Sequence, residues 1–183
     1  MGIDFQKADA DCRHAFLIEP IQGMEGAYRE FLQEFVQSGE EGLLYNLPEA
    51  MEDTAGFIRR LKSHTEGFDD ASVSCSAYWL LSEEEVLLGE IHIRQRLTLQ
   101  LENYGGHVGY MVRPSQRRMG YATKMLALGL EKARAIGLHR IMVSCEPENI
   151  ASARVIEKNG GKLIVEPGVR EGRPASRYWI DLQ

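Results

Sequence analysis

Arg117, Arg118, Met119, Gly120, Tyr121 and Ala122 form the stretch of this chain best suited to holding an anion. They follow a strand-like run at residues 108–112, and Pro114 interrupts the strand pattern, so a helix is predicted to start near Arg117. The first four N–H groups of a helix have no partner within it, and the helix dipole places positive charge behind them. Such an end is a ready site for pyrophosphate or a similar group. Gly120 has no Cβ and lets a ligand approach the backbone, while Ala122 adds only a methyl group. Arg117 and Arg118 add charge at the rim. The order strand, turn, helix distinguishes this stretch from a chance spacing of small residues.

The elements that must position these residues can be read from periodicity and from start and stop signals. A first strand is predicted at 14–19 and a helix at 24–36, with Ala27, Phe31, Leu32 and Phe35 near helical spacing. A second helix is predicted at 48–62, because Pro48 suits a first turn and Glu49, Glu52 and Asp53 favour a helix N-terminus. Residues 63–70 read as a loop. Strands at 74–81 and 86–97 form a hairpin across the acidic turn 82–85, and residues 108–113 make the next strand. The helix after it runs to Ile136 and is closed by Gly137. A strand at 139–146 is stopped by Pro147, and Asn149 is placed to cap a helix that reaches Lys158 and is closed by Gly160. Strands at 162–166 and 177–182 follow, joined by a loop rich in Gly, Pro and Arg. This order is mixed α/β.

A chain of 183 residues suits one sizeable core, and no linker-like tract divides it, so residues 1–183 read as a single domain. No apolar run approaches the roughly 20 residues that span a bilayer, and residues 1–5 lack the basic start and apolar core of a secretory signal. The expectation is a cytoplasmic protein with no membrane partner. Cys12, Cys75 and Cys145 are odd in number and widely spaced, which argues for reduced thiols and against a disulfide framework or a zinc site. A net charge of -6 disfavours nucleic acid and is compatible with a cationic amine.

Arg117, Gly120 and Ala122 match the Gln/Arg-x-x-Gly-x-Gly/Ala pattern of the GCN5-related N-acetyltransferase (GNAT) family, which this chain resembles over roughly its last 80 residues. A second block strengthens the resemblance. Asn149, Ile150, Ala151 and Ser152, followed by Glu157, Lys158, Asn159 and Gly160, resemble the family's Asn, Ala/Ser, Glu-Lys, Gly helix. The resemblance implies a mixed, mainly antiparallel central sheet flanked by helices, with adjacent parallel strands splayed apart at the coenzyme site. It implies acetyl-CoA as acyl donor, no metal, and direct attack by an amine without a covalent enzyme intermediate. Arg118, Met119, Gly120, Tyr121, Ala122 and Thr123 are then expected around the pyrophosphate, with Arg117 at the rim. Tyr110, Met111 and Val112 would offer strand backbone to the pantetheine arm, and Asn149 and Ser152 further coenzyme contacts.

The proton chemistry departs from the family pattern. Many members carry a tyrosine just before the Glu-Lys pair as general acid to the thiolate, where this chain has Ile156. Tyr178 or Tyr110 could substitute if the fold brings one near the sulfur, and a thiolate can also leave without direct protonation. For some relatives the base is a glutamate near the start of the central strand, where this chain has Gly105, Gly106 and His107. Alternation in the second hairpin strand sends Ile91 and Ile93 to one face and Glu90, His92 and Arg94 to the other. That pattern fits a half-solvated strand, and it also fits a site in which Glu90 takes the amine proton directly or through water, with His92 and His107 behind it. Cys145 has no paired base in the sequence and reads as a buried thiol.

The leading function is therefore N-acetylation of a primary amine on a small molecule, with a peptide or protein amine as the second acceptor class. A catalytically silent acyl-CoA sensor is the alternative from a different class. A homodimer is the default among soluble oligomers. The acceptor pocket is expected from the N-terminal helices and from loops 63–70 and 168–176. Replacing Glu90 by Gln should lower turnover far more than it raises the coenzyme dissociation constant, and unchanged turnover across pH would remove Glu90 from the mechanism.

Overall fold

The computed structural model describes residues 14–40, 44, 46–63, 73–170 and 172–182. Eight strands form one sheet in the order β1 (Phe16–Ile18), β2 (Cys75–Leu81), β3 (Leu87–Arg94), β4 (Val108–Val112), β5 (Arg140–Cys145), β8 (Arg173–Asp181) and β6 (Lys162–Leu163), with β7 (Gly168–Arg170) also paired to β8. Every strand pairing but one is antiparallel, the exception being β4 with β5. This is the mixed, mainly antiparallel sheet expected from the resemblance.

Helices cover both faces. On one, α1 (Glu25–Gln37), α2 (Leu47–Glu52) and α3 (Thr54–Lys62) bury Tyr28, Phe31, Phe35, Phe57 and Ile58 against Trp79 and Leu87. On the other, α5 (Tyr121–Ala135) and α6 (Ile150–Lys158) pack on Ile91, Ile93, Val143, Tyr178 and Ile180. Met125 and Leu126 of α5 are wholly buried, and each contributes roughly 2 kcal/mol relative to an exposed side chain. Gly129 gives α5 its close approach to β3, since a Cβ there would lie 2.5 Å from Ile91 Cδ1.

Several elements differ from the sequence reading, each for a local reason. The helix expected at 48–62 is two, because the Asp53 carboxylate accepts the Gly56 N–H at 2.9 Å and starts α3 anew. The strand expected at 86–97 stops at Arg94, and Thr98 then caps the short α4 (Leu99–Asn103) through the Leu101 N–H. The helix expected near Arg117 begins at Tyr121, after a 3-10 turn at Pro114–Gln116. The loop expected at 168–176 is instead the hairpin of β7 and β8, and the strand expected at 162–166 is shortened to two residues. The loop read at 63–70 lies, beyond Ser63, outside the described residues.

The parallel strands touch at one point. Val108 pairs with Val143, the Gly106–Val143 bridge lies beside it, and His107 N–H donates to the Met142 carbonyl at 2.7 Å. Gly106 has φ +68, and a Cβ there would sit 2.4 Å from the Met142 carbonyl oxygen. Gly106→Ala is therefore expected to lower stability by roughly 1–3 kcal/mol in urea denaturation, and a midpoint equal to that of the unmodified protein would contradict this role.

Candidate active site

Beyond Val108 the two parallel strands have no ladder among the described residues, and β4 runs on to Val112 paired only with β3. Because the Arg113 N–H donates to the Leu88 carbonyl at 2.8 Å in the register Gly89 opposite Val112, the main-chain groups of Tyr110 and Val112 point toward the opening. The Val112 carbonyl is taken by Arg117 Nε at 3.2 Å. Tyr110 N–H and C=O and the Val112 N–H face the space where a ladder would otherwise run, as an amide-bearing ligand laid along the strand requires. Met111 turns its side chain to the α1 face, packed against the aromatic cluster there.

At the far end of β4 the chain makes the loop that leads into α5. Arg117 is extended, Arg118 has φ +63 and Gly120 has φ +88, so two left-handed residues lead into α5. A left-handed backbone at a residue with a side chain costs of order 1–3 kcal/mol, and persists where its surroundings fix it. No side chain caps α5, and its first turn presents the main-chain N–H groups of Ala122 and Thr123 to an incoming ligand. The Arg117 guanidinium turns away from this end and is engaged by both carboxylate oxygens of Glu40 at 2.8 Å. A cavity of about 340 Å³ between the β2–β3 turn and the loop is lined by His14, Glu83, Glu84, Met119 and Tyr121, and its acidic rim is unsuited to a phosphate.

The second sequence block closes the opening from the β5 side. Asn149 Oδ1 accepts the Ser152 N–H at 3.0 Å and caps α6, while Ser152 Oγ and the Tyr110 hydroxyl lie 2.8 Å apart, tying α6 to β4. Burial pushes the Tyr110 pKa up to about 12, against the lowering effect of Ser152, so this hydroxyl stays protonated. Asn159 Nδ2 reaches the Thr123 carbonyl at 3.3 Å and joins α6 to the first turn of α5.

On the α1 face the structure brings Glu90 and His92 together. Glu90 Oε1 lies 2.8 Å from His92 Nε2, and Glu90 Oε2 accepts the Trp79 indole N–H at 2.8 Å. Burial alone would lower the His92 pKa, but the Glu90 carboxylate and the Cys75 sulfur, 3.9 Å from His92 Nδ1, outweigh it and raise it to about 10. Tyr28 stacks on Trp79 at 5.1 Å, and burial with the nearby Glu90 charge holds its hydroxyl well above the usual phenol range. Opposite His92 on β4 stands Gly109, where the nearest atom to an added Cβ is Arg94 Nη1 at 4.0 Å. The missing side chain leaves room beside the imidazole.

Tyr178 is not part of this group. It packs in the opposite core with Ile156 and Cys145, and burial together with Cys145 and Glu157 raises its pKa. His107 accepts the Met142 N–H on Nδ1 at 2.9 Å, and burial and Arg94 lower its pKa to about 4, so it is a neutral clamp between β4 and β5 whose acceptor nitrogen is already used. Burial also raises the Cys145 thiol, against the lowering effect of Ser152 and with help from Glu157 and Glu146, which keeps it un-ionised. The sequence reading does not reach Trp79 and Tyr28 beside Glu90 or Cys75 beside His92. The signal for Trp79 and Cys75 is the hairpin, whose register cannot be fixed by its turn alone, and Tyr28 arrives from α1 with no local signal.

Comparison with known proteins converges on one family. The acetyltransferase (GNAT) domain matches residues 24–162. The Bacillus subtilis (strain 168) protein named Uncharacterized N-acetyltransferase YnaD is 26% identical over 165 residues, covering 86% of each chain. Mycobacterium smegmatis RimJ, solved in complex with CoA-disulfide, superposes with a TM-score of 0.66 at 20% identity over 91% of this chain and 81% of its own. Spermidine N-acetyltransferase from Vibrio cholerae, solved with CoA and spermine, gives 0.62 at 14% identity over 93% and 96%. Among the described residues no helix is long and apolar enough to cross a membrane.

Proposed function

The chain belongs to the acetyltransferase (GNAT) family and is an acetyl-CoA-dependent N-acetyltransferase, and from that premise we propose that its acceptor is the primary amine of a small molecule, which attacks the thioester directly in a ternary complex. The observation that carries this reading is the room over Gly109, beside the Glu90–His92 pair and at the point where β4 and β5 part. The backbone of Tyr110 and Val112 holds the pantetheine arm, while Met111, expected from the sequence to join them, spends its main-chain groups on β3 opposite Glu90. The loop and first turn formed by Arg117, Arg118, Met119, Gly120, Tyr121, Ala122 and Thr123 hold the pyrophosphate, Arg117 through its backbone. Asn149 and Ser152 border the arm from α6.

Glu90 and His92 share the proton-accepting role. Both Glu90 oxygens already accept buried donors, so the carboxylate holds His92 by Nε2, the neutral imidazole takes the ammonium proton on Nδ1, through water over Gly109, and Glu90 stabilises the imidazolium so formed. Tyr178 approaches from the opposite face of the sheet and donates its proton to the departing thiolate. A raised pKa keeps that proton on the hydroxyl until a strong acceptor forms. Un-ionised Cys145 supports attack on the coenzyme thioester over a ping-pong route. A spermidine N-acetyltransferase among the structural neighbours and the net charge of -6 support a cationic small amine as acceptor.

Free thiol released from acetyl-CoA, measured against a panel of small amines and amine-terminated peptides, tests the reading. Turnover with small amines is expected. Coenzyme binding without turnover on any amine would contradict it and favour a silent acyl-CoA sensor.

The pH profile tests the proton chemistry. His92 is charged below about 10, so the fraction able to accept a proton, and with it kcat/KM, is expected to climb with pH toward that value. Glu90→Gln removes the charge that raises the imidazole, so the profile should level off roughly one to three pH units lower, with kcat reduced about a hundredfold or more. Because the acceptor's own ionisation is common to both proteins, identical profiles would exclude the pair.

A further inference from the structure

The anion loop is held in place by the far end of α1. Arg113 Nε donates to Glu34 Oε1 at 2.5 Å, and the other oxygen of Glu34 accepts the Ser115 N–H at 3.1 Å. Farther along, Arg117 grips Glu40 with both terminal nitrogens at 2.8 Å, lies 5.7 Å over the Phe35 ring, and donates its remaining nitrogen to the Val112 carbonyl. Glu40 is itself fixed to the helix, since its N–H donates to the Phe35 carbonyl at 2.9 Å. Single surface ion pairs contribute little, but bidentate guanidinium–carboxylate pairs backed by an aromatic ring fix geometry as well as charge. Arg117 lowers the Glu40 pKa, and Ser115 and Arg113 lower that of Glu34 against a raising effect of burial, so both carboxylates stay charged.

The same helix carries Tyr28, which stacks on the Trp79 that donates to Glu90. One helix thus reaches the loop through Glu34, and through Glu40 just past its end, and reaches the Glu90–His92 support through Tyr28 near its start.

We propose that Glu34 and Glu40 are positioning residues for donor binding: through Arg113 and Arg117 they set the backbone of the anion loop, so that coenzyme affinity and the placement of α1 are one linked equilibrium. The motif arginine acts through its hold on Glu40, and the loop N–H groups meet the phosphates. This rests on the assignment of the loop and first turn of α5 to the coenzyme pyrophosphate. Linkage then requires reciprocity: whatever loosens α1 weakens coenzyme binding, and coenzyme steadies α1.

Calorimetric titration of the full chain with coenzyme A tests this in Glu40→Gln, Arg117→Lys and the double variant, beside hydrogen exchange of α1. Lysine keeps the charge but cannot form the two-pronged pair. Each single variant is expected to raise Kd about tenfold, the double variant no further than the worse single, and the protection that coenzyme confers on α1 amides in the unmodified protein should be lost. If Glu40→Gln does not fold, Glu34→Gln carries the same expectations. Unchanged Kd in the folded variants would overturn the proposal, as would tighter binding by Glu40→Gln, which would mean that a released Arg117 reaches the phosphates. An unmodified protein that does not bind coenzyme A would instead overturn the assignment of the loop on which the proposal rests.

Discussion

A sheet cannot pair two neighbouring strands along their length and also admit a ligand between them, and this chain resolves the conflict at one residue pair. Val108 meets Val143, Gly106 and His107 stitch that end shut, and from there β4 and β5 have no further ladder among the described residues. The left-handed glycine and the neutral imidazole are what make so short a contact sufficient. Everything placed on β4 beyond it depends on the parting: the main-chain groups of Tyr110 and Val112, the bareness of Gly109, and the loop that turns Gly120 into the start of α5.

The parting gives the two faces of the sheet different electrostatics. Toward α1 a buried carboxylate lies between an indole N–H and an imidazole, and opposite charge outweighs burial and favours the imidazolium. Toward α5 and α6, burial and nearby acidic groups keep Tyr178 and Cys145 protonated. Acyl transfer needs an amine to lose a proton and a thiolate to gain one, and in the proposed mechanism these two transfers fall on opposite faces of the sheet. Glu34 and Glu40 tie the end of α1 to Arg113, Ser115 and Arg117 in the loop that leads into α5.

What could be read from the sequence was what local chemistry encodes. The strand at 108–112, the small residues at Gly120 and Ala122, the Asn149 cap and the stop at Gly160 all follow from backbone rules that act within a few residues. Partners set by tertiary structure did not follow. Arg117 read as charge at a phosphate rim because nothing nearby in sequence competes for it, whereas its carboxylate is 77 residues away on the end of α1. Trp79 could not be matched to Glu90, since symmetric closure of the hairpin over residues 82–85 would set it opposite Leu88 and the irregularity at Leu80/Leu81 contributes to the change of register. The hairpin of β7 and β8 was hidden for a different reason: its pairing is local, Gly168 opposite Ala175, but its Gly-, Pro- and Arg-rich composition carries the signals of a loop and not of a strand.

A crystal structure with coenzyme A bound is the most direct test of whether the parted strands form the donor site. The account predicts the pyrophosphate on the N–H groups at the start of α5, the pantetheine amides bonded to Tyr110 and Val112, and the sulfur at Gly109 beside His92. A coenzyme lying outside the opening, or a sulfur emerging away from Gly109 with β4 and β5 closed together, would contradict it.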